Sequence, residues 1–230
     1  MFEFLKNFLL KNQTIKQTIL KNTFWLAFAE IIARFSGIVI VIFIARSIGA
    51  LEYGKFTFAL SFASIISIIS DLGVIDISTR DLSQNKENSK KISDVFSLIL
   101  FLCFLTLIIS VIGSFFITAD AEVRAMIFIL TLFVSTNSIF AIFFSFLRSR
   151  QRMEYEALIK ILQAVITGSI IFWIIFYMPA AETLSYGYFL ANLIVLIPLI
   201  LYFNGKIYKL SFNIKKETFD ILKISWPLSF

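Results

Sequence analysis

The sequence predicts an all-α integral membrane protein with six transmembrane helices that form one lobe, followed by the truncated start of a seventh helix. Of its 230 residues, 59% are hydrophobic and only 16% are charged, whereas a soluble domain carries about 25% charged residues. Its apolar runs are also long enough to cross the roughly 30 Å hydrocarbon core of a bilayer as helices. These observations exclude an ordinary cytosolic enzyme, a nucleic-acid-binding module and a disordered protein.

The six predicted spans show none of the alternation in polarity that is typical of membrane β-strands. They cover residues 22–45, 56–79, 95–118, 123–147, 157–177 and 183–203. Residues 1–21 have a lysine at every fifth position from Lys6 to Lys21, which indicates an amphipathic basic cytoplasmic segment or, alternatively, a frayed tail. Residues 204–230 are predicted to form a cytoplasmic linker and the start of helix 7, with Trp226 and Pro227 at its entry.

The basic residues predict the orientation, because cytoplasmic loops of membrane proteins carry an excess of Lys and Arg. Four basic residues precede the first span, four follow the second, four follow the fourth and five follow the sixth, so 17 of 21 lie on one side. They are Lys6, Lys11, Lys16, Lys21, Arg80, Lys86, Lys90, Lys91, Arg148, Arg150, Arg152, Lys160, Lys206, Lys209, Lys215, Lys216 and Lys223. We therefore expect both termini in the cytoplasm, and the net charge of +6 indicates anionic membrane lipids as partners rather than nucleic acid.

Four charged residues lie inside the first two predicted spans, and a charge costs about 2.5–3.5 kcal/mol at the membrane centre. Glu30 and Arg34 lie in the first span, and Asp71 and Asp76 in the second. A cluster of opposite charges is expected in the cytoplasmic half of these helices. In one interpretation Glu30 and Arg34 form a structural i, i+4 pair. In the other, Arg34 contacts an anionic substrate group, and the three acids couple ions or gate the site.

Three amides inside the later spans are the other predicted substrate-binding residues. Asn137, Gln163 and Asn192 each need a hydrogen-bond partner away from water, because an unsatisfied amide in lipid is costly. The sequence contains no histidine and one cysteine, so we predict no catalytic residues, no metal site and no cofactor. Glu154 and Glu156, among the arginines after the fourth span, are interpreted as a solvated charge face.

Four segments, in order along the chain, resemble the polysaccharide (O-antigen and teichoic-acid type) flippase family. This family is a branch of the multidrug/oligosaccharidyl-lipid/polysaccharide exporter superfamily. The similar segments are NTFW at 22–25, ARSIGALEYGKF at 45–56, SDLG at 70–73 with Arg80-Asp81, and RSRQRMEYEA at 148–157. The resemblance begins near Lys21 and continues to the end of the sequence.

The resemblance implies a fold of twelve to fourteen helices in two pseudo-symmetric lobes. It also implies alternating access, by which polyprenyl-diphosphate-linked oligosaccharide moves across the cytoplasmic membrane, with other polysaccharide-assembly membrane proteins as partners. The similarity of LKNTFWLAF at 20–28 to LKISWPLSF at 222–230 indicates a parallel repeat, of which this chain is the N-terminal lobe. The alternatives are a cation-coupled multidrug exporter of the same superfamily, and a non-transporting scaffold or gene remnant.

Overall fold

The computed structural model describes residues 14–84, 89–206, 222 and 225, and every regular element among them is helical. The elements are α1 (Ile15–Ile66), a 3₁₀ helix (Ser67–Ser70), α2 (Val74–Gln84), α3 (Ser89–Ile117), α4 (Ala121–Ser149), α5 (Met153–Tyr177) and α6 (Ala181–Lys206). Five stretches of the described chain are long and apolar enough to cross a membrane: Ile15–Ser70, Ser93–Ile117, Ala121–Ser149, Met153–Tyr177 and Ala181–Gly205. The protein is an all-helical membrane protein.

A break at Gly49 divides α1 into two helical segments. The stretch Ile15–Ser70 has 56 residues, which as one straight helix would be about 84 Å long. Gly49 has φ 78° and ψ 168° and joins two helices across a kink. Residues with side chains are strained in this region of backbone angles. The connection between the first two predicted spans, residues 46–55, is therefore reduced to this one non-helical residue.

Two glycine substitutions should have opposite effects at this kink. Gly49→Ala should lower the free energy of unfolding by about 1–3 kcal/mol, because alanine must adopt a backbone conformation that suits only glycine. Gly54→Ala is the matched control, since Gly54 is helical and an added Cβ meets no atom within 4 Å. There alanine should stabilise the helix by up to about 1 kcal/mol. Thermal unfolding in detergent measures both changes, and equal effects would contradict the role given to Gly49.

The second predicted span, residues 56–79, is not one continuous helix. After the 3₁₀ helix, Leu72 and Gly73 have φ of 44° and 71°, and α2 begins at Val74. The carboxylate of Asp71 accepts a hydrogen bond from the backbone N–H of Ile75 at 3.1 Å, which satisfies one donor in the first turn of α2. Although Asp71 precedes the break and Gly73 is part of it, the run from Phe56 to Thr79 is apolar enough overall to be predicted as one span.

Helix α4 lies at the centre of the bundle and packs against α1, α2, α3, α5 and α6. At its beginning, Met126 and Leu130 belong to a core with α1, α5 and α6. Near its end, Phe140 and Phe143 pack with residues of α6 in a second core. This arrangement brings α1, α5 and α6 together around one side of α4, where the polar residues of the spans meet.

The two ends of the sequence lie partly outside the described residues. Thr14 caps α1 by accepting a hydrogen bond from the backbone N–H of Gln17, so residues 15–21 of the predicted interfacial segment form the first turns of α1 itself. The remainder of that segment, residues 1–13, lies outside the described residues. The predicted start of helix 7 also lies outside them, except for the helical residues Leu222 and Ser225.

Candidate functional site

A cavity of about 290 Å³ lies between α1, α4, α5 and α6. We call it the polar cavity, because seven of its twelve lining residues are polar or charged. Those seven are Glu30, Ser36, Lys160, Gln163, Thr167, Tyr188 and Asn192, and the others are Ala33, Gly37, Ile40, Phe133 and Ala164. The contribution of α5 follows from its sequence, since Lys160, Gln163 and Thr167 are spaced i, i+3 and i+7 and therefore share one helix face.

Of the three amides predicted as substrate contacts, Gln163 and Asn192 line this cavity, and Asn137 is hydrogen-bonded to Asn192. Asn192 is 3% exposed, and its Nδ2 donates to Asn137 Oδ1 at 2.9 Å and to Thr136 Oγ1 at 2.8 Å. Its Oδ1 accepts a hydrogen bond from Gln163 Nε2 at 3.3 Å. Both hydrogens and one acceptor lone pair of the amide are thereby used. The network links α4, α5 and α6 and fixes the polar wall of the cavity.

A second group of residues brings three charges together at Glu30. Arg34 Nε lies 2.8 Å from Glu30 Oε1, as the i, i+4 spacing predicts, and Lys160 Nζ lies 3.7 Å from Glu30 Oε2. Lys160 had been counted only as a loop cation. Its place on the same face of α5 as Gln163 is the signal that would have identified it. One carboxylate thus lies between two cations, one from α1 and one from α5.

Arg34 itself lies on the outer surface of the bundle, beside the cavity. Its side chain is 78% exposed, although the residue lies near the middle of the span predicted at 22–45. An arginine at this depth is strongly disfavoured against lipid. We therefore expect this surface to face either water or further protein.

Glu156 is fully buried, which corrects its interpretation as part of a solvated charge face. Its carboxylate accepts two hydrogen bonds from Arg148, from Nε at 2.8 Å and from Nη2 at 2.6 Å. Lys160 Nζ lies 3.3 Å from the same carboxylate. Through Lys160, the charges form a continuous series from Arg148 to Arg34. The sequence shows these charged residues, but it does not show that the packing of α5 against α4 buries Glu156.

A further ion pair fastens the start of α1 to α5. Lys21, expected in a surface segment, has a fully buried side chain whose Nζ lies 3.0 Å from Glu154 Oε2. Beside it, Asn22 Nδ2 donates to Gln151 Oε1 at 2.8 Å. Glu154 is also mostly buried, so it too differs from the predicted solvated face. These contacts hold α1 against the connection between α4 and α5.

Asp71 and Asp76 occupy a different place from Glu30. Asp71 caps α2 as described above, and Asp76 is an exposed residue in the first turn of the same helix. Acidic residues at this end of a helix are stabilised by its dipole. The cluster of opposite charges expected from the sequence is formed by Glu30, Arg34 and Lys160, whereas the hydrogen bond of Asp71 is local. The ion-coupling role of Asp71 and Asp76 stays a prediction.

A family model described as polysaccharide biosynthesis protein matches residues 19–230 of the chain. Comparison with curated proteins and with solved structures gave no match. The matched range begins close to Lys21, where the resemblance in the sequence begins, and it includes all four similar segments. The family indicated by those segments is confirmed. Because the match covers most of the chain, we conclude that the chain belongs to the polysaccharide biosynthesis protein family.

Proposed function

We propose that this protein is a membrane transporter that moves polyprenyl-diphosphate-linked oligosaccharide across the cytoplasmic membrane during polysaccharide biosynthesis. Its family and its apolar helices support a role in the membrane stage of that process. The observation that carries the proposal is the position of Arg34 and Lys160 on either side of Glu30, beside the polar cavity.

This arrangement suits an anionic ligand because three cations, Arg34, Lys160 and Arg148, share two carboxylates, so the charge series is positive by one. Arg34 can donate two parallel hydrogen bonds to a phosphate, whereas Lys160 supplies a compact charge. Within the protein, Glu30 compensates part of that positive charge. A diphosphate that approaches Arg34 and Lys160 replaces Glu30 as their partner. The amides of Gln163 and Asn192 lie along the same cavity and offer polar contacts to the first sugar.

The size of the cavity favours a site that is shared with a second lobe. At about 290 Å³ the cavity lies at the lower limit of small-molecule sites, which enclose about 300–1,000 Å³. It can hold the phosphates or one sugar but not an oligosaccharide. The exposed side chain of Arg34 would face the remaining substrate in a water-filled space between two lobes. The chain would then act as the N-terminal lobe.

The proposed topology has six crossings, with both termini in the cytoplasm. The kink at Gly49 divides the first long apolar stretch into two of these crossings, and the other four are α3 to α6. The basic residues then lie on the cytoplasmic side, as the positive-inside rule requires. Under this topology the Arg148 end of the charge series opens toward the cytoplasm, where lipid-linked substrate is assembled.

A cation-coupled exporter would instead use Glu30 and Asp71 to bind ions or protons. Glu30 has two cationic partners, and Asp71 accepts a hydrogen bond from the backbone. Each carboxylate is therefore stabilised without a coupling cation. These contacts favour recognition of an anionic substrate.

Arg34→Ala, introduced into the gene in its native host, should abolish display of the surface polysaccharide, because the substrate loses its bidentate contact. The measurement is quantitative staining of surface polysaccharide, with the amount of protein in the membrane followed by immunoblot. Arg46→Ala is the control, since Arg46 is an exposed arginine outside the polar cavity. Normal display in the Arg34 variant would refute the assignment. A scaffold without transport activity predicts that result.

A further inference from the structure

A second and larger cavity lies on the opposite side of α5. It has a volume of about 610 Å³ and is bounded by the end of α4, the beginning of α5 and the end of α6. We call it the terminal groove. It shares no lining residue with the polar cavity. Its apolar wall includes Leu158 and Leu162 of α5 together with Leu199 and Phe203 of α6.

The polar residues of the terminal groove are gathered at one end. Arg150 and Arg152 come from the connection between α4 and α5, Tyr155 from the first turn of α5, and Tyr202 from the end of α6. From Arg152 to Leu162 the groove extends about 15 Å along the helix. This length is half of the roughly 30 Å hydrocarbon core and thus corresponds to one leaflet.

The arginines of the α4–α5 connection divide between two environments. Arg148 turns inward to Glu156, whereas Arg150 and Arg152 line the groove. The Arg150 guanidinium lies 4.5 Å above the ring of Phe146, which is itself part of the groove wall. None of the described residues that line the groove is acidic. The groove therefore combines a positively charged polar end with an apolar trough.

We infer that the terminal groove binds one anionic phospholipid, with its phosphate at Arg150 and Arg152 and an acyl chain along Leu158 and Leu162. Basic pockets between membrane helices are typical binding sites for anionic headgroups. The two tyrosines lie at the depth where aromatic rings with a polar edge are favoured. Because α5 separates this site from the polar cavity, the lipid is a structural or regulatory partner distinct from the transported substrate.

The test uses the 230-residue chain in detergent and native mass spectrometry, titrated with phosphatidylglycerol or phosphatidylcholine. The wild type should bind phosphatidylglycerol more tightly than phosphatidylcholine. Arg150→Gln combined with Arg152→Gln should weaken that binding about tenfold or more, since charge-assisted contacts to the phosphate are lost. Arg46→Gln combined with Arg124→Gln removes the same charge at the opposite end of the helices and should have no effect. Leu162→Trp should weaken binding by filling the trough.

Equal binding of the two lipids by the wild type would overturn the inference, as would unchanged phosphatidylglycerol binding in the double arginine variant. If only the arginine variant weakens binding and Leu162→Trp does not, the lipid is attracted by surface charge and the groove is not its site. That result also overturns the inference. Thermal unfolding establishes that each variant is folded. The single variants Arg150→Gln and Arg152→Gln replace the double variant if it unfolds early.

Discussion

Replacing Glu156 with alanine should lower the free energy of unfolding by about 1.5–3 kcal/mol, because Arg148 loses both of its hydrogen bonds to a buried carboxylate. Glu156 is fully buried and accepts two hydrogen bonds from Arg148, and it also lies within ion-pair distance of Lys160. Loss of the Glu156 carboxylate should weaken the packing of α5 against α4, and α5 supplies one wall of the polar cavity. Unfolding by heat or by denaturing detergent, in mixed micelles, measures the change.

Glu122→Ala provides the matched control for burial. Glu122 also forms an ion pair at 2.6 Å, with Lys55, but its side chain is 38% exposed. Exposed pairs contribute about 0–1 kcal/mol, so this variant should remain near wild-type stability. Replacing both partners, as Arg148→Met with Glu156→Leu, should recover part of the lost stability, since no unpaired guanidinium remains. Equal losses for the Glu156 and Glu122 variants would contradict the structural role given to Glu156.

The combination of Arg34→Gln with Lys160→Gln should weaken binding of a polyprenyl diphosphate by about 100-fold or more. Each lost hydrogen bond from a charged group is worth about 1.5–3 kcal/mol, and about 1.4 kcal/mol corresponds to tenfold in affinity. Equilibrium titration of undecaprenyl diphosphate onto the chain in nanodiscs measures the loss. The double variant also tests the structural assignment of Lys160, which comes from α5 and was recognised as a site residue only in the structure.

Charge alone should not explain the effect of that double variant. Arg46→Gln with Arg124→Gln removes two positive charges from the other end of the helices, and it should leave the affinity for the diphosphate within about twofold, since interactions over such distances are screened by salt. A similar loss in both double variants would show that the ligand responds to net charge rather than to the site at Glu30.

Helices α3 to α6 were the part of the fold that could be predicted best from the sequence. The predicted spans at 95–118, 123–147, 157–177 and 183–203 overlap α3 to α6 closely, because each apolar run is bounded by turn or charged residues. The helices extend further than the apolar runs. At the end of α4, for example, Arg148 stays helical because its side chain is satisfied by Glu156. A hydropathy profile contains no information about such a side-chain partner.

The breaks in the first two spans were harder to predict, for a physical reason. The sequence predicts a loop at 46–55, but only Gly49 departs from helical backbone angles. The charged residues near it stay helical because they pair with one another, as Glu52 does with Lys55. The interruption at Leu72 and Gly73 was missed because one Asp and one Gly in a long apolar run do not exclude a continuous span. Composition predicts which residues enter the membrane, but it does not predict their backbone angles.

The candidate site was predictable where a residue's own chemistry demands a partner. Asn137, Gln163 and Asn192 were selected because amides in lipid must be hydrogen-bonded, and the structure brings them together. Lys160 and Glu156 were misjudged because they lie next to a basic loop. The i, i+3 spacing of Lys160 and Gln163 places Lys160 on the face of a predicted site residue, but the burial of Glu156 depends on how α4 packs against α5, which is a tertiary property.

The most direct test of the central claim is the affinity of undecaprenyl diphosphate for the wild type and for Glu30→Gln, measured in the same nanodiscs with undecaprenyl monophosphate as the comparison ligand. If Arg34 and Lys160 bind the diphosphate in place of Glu30, removing the carboxylate charge should strengthen diphosphate binding, opposite in sign to the Arg34 and Lys160 variant. The wild type should also prefer the diphosphate to the monophosphate. Weaker binding by Glu30→Gln together with no preference between the two lipids would contradict the account.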